Sequence, residues 1–168
     1  MKKAVSLIEL LIVVLLFSLI AGISGLVFAV GLRSWNSALN RAKVRQDCAL
    51  AMERMVRELA QTDSVARARV GDVTVDVDLD NNGANESLEF DVDNANNLTR
   101  DVDGVTTILA SGVGTFTLSY LDADNNTLSA PVNPQATRDT IRVISILMTA
   151  SQGDESFTLS SSAYCRNQ

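Results

Sequence analysis

Oxygen-bearing side chains that could bind a metal ion are concentrated between Asp78 and Glu89. This segment matches the pattern D-x-[DN]-x-[DN]-G-x5-E, whose spacing wraps oxygen ligands around Ca²⁺ while Gly83 supplies a sharp turn. The predicted ligand set combines side-chain oxygens, one backbone carbonyl and one position often filled through water: Asp78, Asp80, Asn82, Ala84, Glu86 and Glu89. Calcium is therefore the one cofactor that the sequence suggests, although none is required.

The residues flanking this segment leave a second interpretation open. Apolar residues alternate with polar ones before and after it, which predicts β-strands where an EF-hand has helices: Val73, Val75, Val77, Leu88, Phe90 and Val92. A metal-free hairpin turn would be just as rich in Asn, Asp and Gly. Residues 70–103 carry ten acidic side chains and one basic side chain, and this crowding favours a cation. The run Asp122–Thr127 lacks the glycine and the final glutamate, so we predict a hairpin loop there.

Catalysis is disfavoured by what the sequence lacks. The chain has no histidine, which removes histidine-based catalysis and histidine metal ligands, and Ser160, Ser161 and Ser162 therefore have no imidazole base. Two cysteines cannot form a four-thiolate zinc site. The net charge of −6 argues against a nucleic-acid partner, which would favour a basic face. We predict a protein that is not an enzyme and does not bind nucleic acid.

The two cysteines, Cys48 and Cys165, leave two alternatives open. A disulfide between them would close a loop of more than a hundred residues and tie the C-terminus to the helical region. Cys48 lies one position from the predicted apolar stripe, so a buried free thiol is the competing interpretation.

An apolar segment near the N-terminus predicts that most of these residues lie on the far side of a membrane. The 23 residues from Leu10 to Leu32 contain no charged side chain and reach about 34 Å as a helix, enough to cross a hydrocarbon core of about 30 Å. Lys2 and Lys3 precede this span, which predicts a cytoplasmic N-terminus and a translocated remainder. A secretory signal peptide fits less well, because the apolar run is too long and no small-residue cleavage site follows it.

Glu9 stands at the start of this apolar segment, where an ionised carboxylate is costly unless it reaches the interface or finds a partner. Snorkelling to the membrane edge is the simpler interpretation. Residues 4–11, with the sequence AVSLIELL, together with the short basic leader and the uncharged span, resemble the N-terminal motif of type IV pilins and type II secretion pseudopilins.

The resemblance implies roles for three residues. A prepilin peptidase would cut between Ala4 and Val5, removing the leader 1–4, and would methylate the new N-terminus at Val5. The positive α-amine of Val5 would then lie one helical turn from Glu9. By family resemblance Glu9 pairs with the amine of a neighbouring chain and so recruits the next subunit into a filament.

The resemblance also implies partners and a location. The partners are other pilins or pseudopilins bound through the N-terminal helix, the prepilin peptidase, an inner-membrane assembly platform and, before assembly, membrane lipid. The subunit would begin as a single-pass inner-membrane protein with a periplasmic head and end in a pilus or pseudopilus.

Beyond the span, apolar residues continue at helical spacing, which predicts one helix from about Val5 to about Thr62. The predicted stripe consists of Trp35, Leu39, Ala42, Ala49, Met52, Val56 and Leu59. We therefore assign residues 5–32 to a membrane or filament-core helix and residues 33–66 to an amphipathic helix of the head. Residues 67–168 are assigned to an antiparallel sheet of about five to seven strands. Strands are expected at Val105–Leu109, Val113–Leu121, Thr140–Thr149 and Ser156–Tyr164.

The expected fold class is α+β, with a long N-terminal helix packed against an antiparallel sheet as in pilins. Length and layout resemble minor pseudopilins of the J type or minor pilins of the W type, which implies a tip or priming subunit. A different class of function stays open: a permanently anchored single-pass envelope protein whose acidic head binds calcium or another ligand.

Overall fold

The computed structural model describes residues 7–152 and 155–165, which form one long helix, one short helix and nine β-strands. The chain divides into two compact units, Met1–Arg41 and Ala42–Gln168. Helix α1 (Leu7–Leu59) is uninterrupted over 53 residues. Its sequence contains no proline, and the last turn tightens where Gln61 N–H donates to the Glu58 carbonyl and Thr62 N–H to the Leu59 carbonyl.

The side chains of α1 fall into an exposed and a buried group. Every apolar side chain from Leu7 to Leu39 is exposed to solvent. Buried positions begin only at Cys48 and follow helical spacing through Ala51, Met52, Met55, Glu58 and Leu59. The predicted stripe is therefore wrong over its first part, because Trp35, Leu39, Ala42 and Ala49 are exposed. Cys48 lies on the buried stripe itself, so the stripe is rotated by one position from the predicted one.

The first β-sheet, sheet A, is a five-stranded antiparallel meander that follows the chain order β1 to β5. Its strands are β1 (Ser64–Ala68), β2 (Val73–Val77), β3 (Glu86–Val92), β4 (Asn97–Val102) and β5 (Val105–Ser111). In β2 and β3 buried residues alternate with more exposed ones, as the period-two pattern predicts. One face of sheet A therefore lies in the core and the other meets solvent.

The second β-sheet, sheet B, has four antiparallel strands in the order β7-β6-β8-β9. Its strands are β6 (Val113–Leu121), β7 (Thr127–Leu128), β8 (Val143–Gln152) and β9 (Glu155–Tyr164). The connection to β8 contains two cis peptide bonds, before Pro131 and before Pro134, and the four-residue helix α2 (Gln135–Arg138). The central strand β8 buries Ile144, Ile146, Met148 and Ala150.

One apolar core joins the distal part of α1 to both sheets. Tyr120 of β6 crosses between the sheets, because its hydroxyl donates to the Arg69 carbonyl at 2.7 Å. Backbone bonds make the same link, with Leu118 N–H donating to the Val70 carbonyl and Val132 N–H to the Ala68 carbonyl. These three bonds attach β6 and the segment before β8 to the end of β1 and to the β1–β2 connection.

The predicted fold class is confirmed: a long N-terminal helix packs against antiparallel sheets, an α+β arrangement consistent with a pilin-like fold. The details differ from the prediction. α1 ends at Leu59 and β1 begins at Ser64, so the segment 33–66 is partly helix and partly strand. The described residues form nine strands in two sheets, and three of these strands, β1, β4 and β7, were not predicted.

Candidate functional site

Glu9 lies in the first turn of α1, and its side chain is exposed among exposed apolar neighbours such as Ile8 and Leu10. A carboxylate is favoured near the N-terminus of a helix, where backbone N–H groups are unpaired. Among the described residues Glu9 makes no ion pair. The predicted cleavage site at Ala4 and Val5, the methylated residue Val5 and the leader 1–4 lie outside the described residues.

The stretch of α1 after Glu9 is long and apolar enough to span a membrane once, and none of the side chains in its most apolar window is buried. In water so much exposed apolar surface is strongly unfavourable, and in a bilayer the same surface is favourable. The helix is thus suited to a single-pass anchor.

The structure brings part of the predicted calcium site together. Asp78, Asp80 and Glu86 each place one carboxylate oxygen within 4.8 Å of the other two. Asp78 and Asp80 lie on the turn that follows β2, and Glu86 is the first residue of β3, so the hairpin itself makes them converge. Three carboxylates at this spacing offer oxygen ligands of the kind that Ca²⁺ binds.

Glu89, the predicted bidentate ligand, is paired with a side chain from another strand. Glu89 lies on the outer face of β3, where it pairs with Arg67 and stands across from Asp101 in the sheet register. Burial raises the pKa of Glu89, Arg67 opposes this effect, and the nearby carboxylates of Asp72, Asp91 and Asp101 raise the pKa further. Since Glu89 is engaged with Arg67, the structure does not bring it to Asp78, and the predicted bidentate ligand is missing from the cluster.

Asn82 and Ala84 also take part in the turn. The Asn82 amide Nδ2–H donates to Asp80 Oδ2 at 2.9 Å, and the Asn82 Oδ1 accepts from Ala84 N–H at 2.7 Å. Asp78 accepts from the N–H groups of Asn82 and Gly83, and Glu86 Oε2 accepts from Leu79 N–H at 2.8 Å. These bonds alone are enough to shape the loop.

The same turn occurs three times in the head, which sequence reading missed. Each copy has the sequence Asp-x-x-Asn-Asn, at residues 78–82, 93–97 and 122–126. In every copy the fifth residue donates its N–H to the first aspartate, at 2.8–3.0 Å. The fourth residue has a positive φ of about 60°, which asparagine tolerates better than most residues. The prediction of a hairpin loop at Asp122–Thr127 is confirmed.

These turns change the pKa of two aspartates in the same direction. Hydrogen bonds from the Asn97 backbone and side chain lower the pKa of Asp93, and bonds from Asn126 lower the pKa of Asp122. The cause is stabilisation of the charged carboxylate by the N–H groups that it accepts. The ionised turn is therefore the stable form at neutral pH.

Cys48 and Cys165 are both buried and both free thiols in the structure. Arg45, one turn before Cys48, stacks over Phe157 near the start of β9, whereas Cys165 follows the end of that strand. Cys165 lies eight positions beyond Phe157, which is about 26 Å along a strand, whereas a disulfide needs Cα atoms within about 7 Å. The two thiols are accordingly not bridged in the structure. Burial raises the pKa of Cys48 and raises that of Cys165 to about 11, so both thiols are protonated at neutral pH.

A buried ion cluster between α1 and sheet A is a further feature that sequence reading missed. Glu58 Oε2 lies 2.7 Å from Arg100 Nε of β4, and Glu58 Oε1 lies 2.9 Å from Arg54 Nε. The side chains of Glu58 and Arg100 are only 9% and 12% exposed. The sequence does contain a sign of this cluster. Glu58 stands three residues after Met55 and next to Leu59, so a charged residue interrupts an apolar stripe.

No protein-family model and no curated protein matches the chain. A proposal about its function therefore rests on the residues described above.

Proposed function

We propose that this chain is a non-catalytic subunit of a type IV pilus-like filament or a type II secretion pseudopilus, in the position of a minor, tip or priming subunit. The observation that carries the proposal is the exposed apolar part of α1, with Glu9 in its first turn and a separate compact unit beginning at Ala42. A permanently soluble protein would have to cover that surface.

In this proposal the surroundings of α1 change between the membrane and the filament. Lipid satisfies the apolar side chains from Leu10 to Leu32 before assembly, and neighbouring helices satisfy them afterwards. Glu9 makes no ion pair among the described residues, and an unpaired carboxylate is costly once water is excluded. A free α-amine from the next subunit would remove that cost, so Glu9 would select a correctly registered neighbour.

The test is incorporation of a Glu9→Gln variant into filaments in a host with the assembly machinery. We expect filament-associated protein to fall by about tenfold or more, because a lost buried pairing of roughly 1.4 kcal/mol is a tenfold change in association. Glu53→Gln is the matched control, since Glu53 is an exposed glutamate on the same helix. Its incorporation should equal that of the parent chain.

The alternative function, a permanently anchored envelope protein, gives the opposite pattern. The parent chain would then stay in the inner-membrane fraction with its N-terminus unprocessed, and Glu9→Gln would behave like Glu53→Gln. Membrane fractionation of all three chains separates the two proposals.

We also propose a calcium site smaller than the one the sequence pattern predicts, formed by Asp78, Asp80 and Glu86. The proposal is supported by the D-x-D-x-N-G spacing and by the convergence of the three carboxylates. Three carboxylates without Glu89 predict weak affinity, in the range of about 10⁻⁴–10⁻³ M that extracellular modules show. Such a site would be filled outside the cytoplasm, on the side where the head is predicted to lie.

Thermal unfolding of the full chain in detergent tests this site. Addition of about 10 mM Ca²⁺ should raise the Tm by a few degrees, from a binding contribution of roughly 1.4–2.7 kcal/mol. Asp80→Asn should abolish the shift. Asp124→Asn is the matched control, because Asp124 holds the same position in the 122–126 copy of the turn. No shift in the parent chain would leave the segment as a metal-free hairpin turn.

A further inference from the structure

Among the described residues, the outer face of sheet B consists mostly of Ser and Thr and has no charged side chain. The register of β6, β8 and β9 places fourteen side chains on this face, of which ten are Ser or Thr. We call these fourteen residues the hydroxyl face: Thr115, Thr117, Ser119, Leu121, Val143, Ser145, Leu147, Thr149, Ser151, Ser156, Thr158, Ser160, Ser162 and Tyr164.

The lack of charge is unusual for this protein. The outer face of sheet A, built by the same pleat, carries Arg67, Asp76, Glu89, Asp91 and Asp101. A solvated surface ordinarily includes about 25–35% charged residues, which keep the protein soluble. A face of fourteen positions without one charged side chain therefore indicates a contact surface.

Its hydroxyls form an ordered grid. Ser145 and Ser162 are joined across the strands at 3.0 Å between their Oγ atoms, and Thr149 and Thr158 at 3.0 Å between their Oγ1 atoms. Neighbouring strands lie about 4.8 Å apart and alternate residues of one strand about 6.6 Å apart, so donors and acceptors repeat in two directions. Each paired hydroxyl still has an unused lone pair or proton to offer a ligand.

Two apolar groups are set into this grid. Leu147, at the centre of β8, is 42% exposed and lies in a shallow depression with Ser119, Ser160 and Ser162. Tyr164 is 60% exposed at the end of β9, next to Val143 in the register. An exposed aromatic ring beside hydrogen-bonding groups can stack on a flat apolar surface while its hydroxyl remains wet.

We propose that the hydroxyl face binds an uncharged polysaccharide. A chain of neutral sugars carries hydroxyl donors and acceptors along its length, which matches the grid, and apolar C–H faces, which match Leu147 and Tyr164. Charge complementarity supports the choice, since an acidic polymer, a nucleic acid or an anionic lipid surface would require cations that this face lacks. A protein partner fits less well, because serine is depleted at protein interfaces and Ser and Thr are rare among binding hot spots. The inference does not depend on filament assembly.

Co-sedimentation of the full chain with insoluble cellulose, chitin and starch granules tests the proposal. The chain is kept in a zwitterionic detergent without a sugar headgroup, because a maltoside would compete for the face. We expect at least one of the three polysaccharides to carry the protein into the pellet. Failure to bind any of them would overturn the proposal.

Matched variants assign the binding to the face. Ser162→Glu places a charge on the grid and should weaken binding about tenfold, the change expected for one buried unpaired charge costing roughly 1.4 kcal/mol. Ser87→Glu makes the same change at an exposed position on β3 of sheet A and should bind like the parent chain. Equal binding by Ser162→Glu and Ser87→Glu would overturn the proposal.

Two further measurements separate polysaccharide binding from misfolding and from self-association. Tyr164→Ala should also reduce binding, and circular dichroism should show that it and Ser162→Glu retain the parent strand content. Chemical cross-linking in the same detergent should give the same oligomeric state for Ser162→Glu and the parent chain. A change of oligomeric state without polysaccharide binding would instead make the face an interface between copies of the chain, contrary to the proposal.

Discussion

Sheets A and B share one apolar core, yet their charged groups are distributed very differently. Sheet A is joined to α1 through the charged pair of Glu58 and Arg100, and its outer face carries the ion pair of Arg67 with Glu89. Sheet B contributes apolar side chains such as Ile146 and Met148 to the core, and its described outward positions on β6, β8 and β9 are uncharged. Charged side chains therefore lie on the outer face of sheet A, whereas the described positions on the outer face of sheet B carry none.

The largest effect is expected from Glu58→Ala, which breaks the charged link of sheet A. Removing one partner of a buried ion pair leaves Arg100 uncompensated, so the free energy of unfolding should fall by about 3–5 kcal/mol. Denaturant unfolding of the full chain in detergent measures the loss. Glu53→Ala, at an exposed position on the same helix, should change stability by less than about 0.5 kcal/mol. Equal effects of the two variants would contradict a structural role for Glu58.

A comparable loss in sheet B should come from an apolar side chain. Met148 is 1% exposed on the inner face of β8, so Met148→Ala should cost about 2–5 kcal/mol through lost burial and a cavity. Leu147→Ala, at the adjacent outward position, should cost clearly less in the same denaturant titration. If Leu147→Ala were the more damaging change, the inner and outer faces of sheet B would be wrongly assigned.

The bond between the sheets should have an intermediate effect. Burial raises the pKa of Tyr120, with a further contribution from Asp72, so its hydroxyl is protonated and donates to the Arg69 carbonyl. Tyr120→Phe removes this bond and should lower stability by about 1 kcal/mol. Tyr164→Phe changes an exposed tyrosine and serves as the control, for which thermal unfolding should show no shift. An unchanged Tm for Tyr120→Phe would argue against this link.

The smallest effect is expected from the turns, which both sheets share. Asp93 and Asp122 have pKa values below the ordinary 3.8, so their stabilising bonds are fully present above that pH. The contribution is lost as the pH falls through the lowered folded-state values. The double variant Asp93→Asn, Asp122→Asn should therefore lose less stability than the parent chain between pH 5 and pH 2 in thermal unfolding. Parallel pH profiles for the two chains would contradict the assigned pKa shifts.

Much of the fold could be predicted because local patterns agreed with tertiary packing. The period-two alternation in Val73–Val77 and the apolar run in β8 fixed which strands would be buried. β4, with the sequence NLTRDV, escaped detection because only Leu98 is buried and Arg100 faces inward to meet Glu58. The position of the buried stripe on α1 was mispredicted for a similar reason, since the charged Glu58 and the thiol of Cys48 occupy core positions.

The candidate sites could also be predicted only in part. Spacing predicted that Asp78, Asp80 and Glu86 would converge, because a single hairpin holds them. Spacing could not show that Glu89 is engaged by Arg67, which comes from another strand, 22 residues earlier. The hydroxyl face could not be recognised from the sequence either, because it depends on the register of β8 and β9 with β6, a strand from an earlier part of the chain.

Whether the chain is a processed filament subunit can be read from the intact mass of the protein purified from a host with an active prepilin peptidase. We expect a mass lower by residues Met1–Ala4 and higher by one methyl group, with fragmentation placing the methyl group on the α-amine of Val5. The same preparation from a host without the peptidase should keep all four residues. An unprocessed N-terminus in both hosts would show that the chain is not a processed filament subunit and would favour a permanently anchored envelope protein.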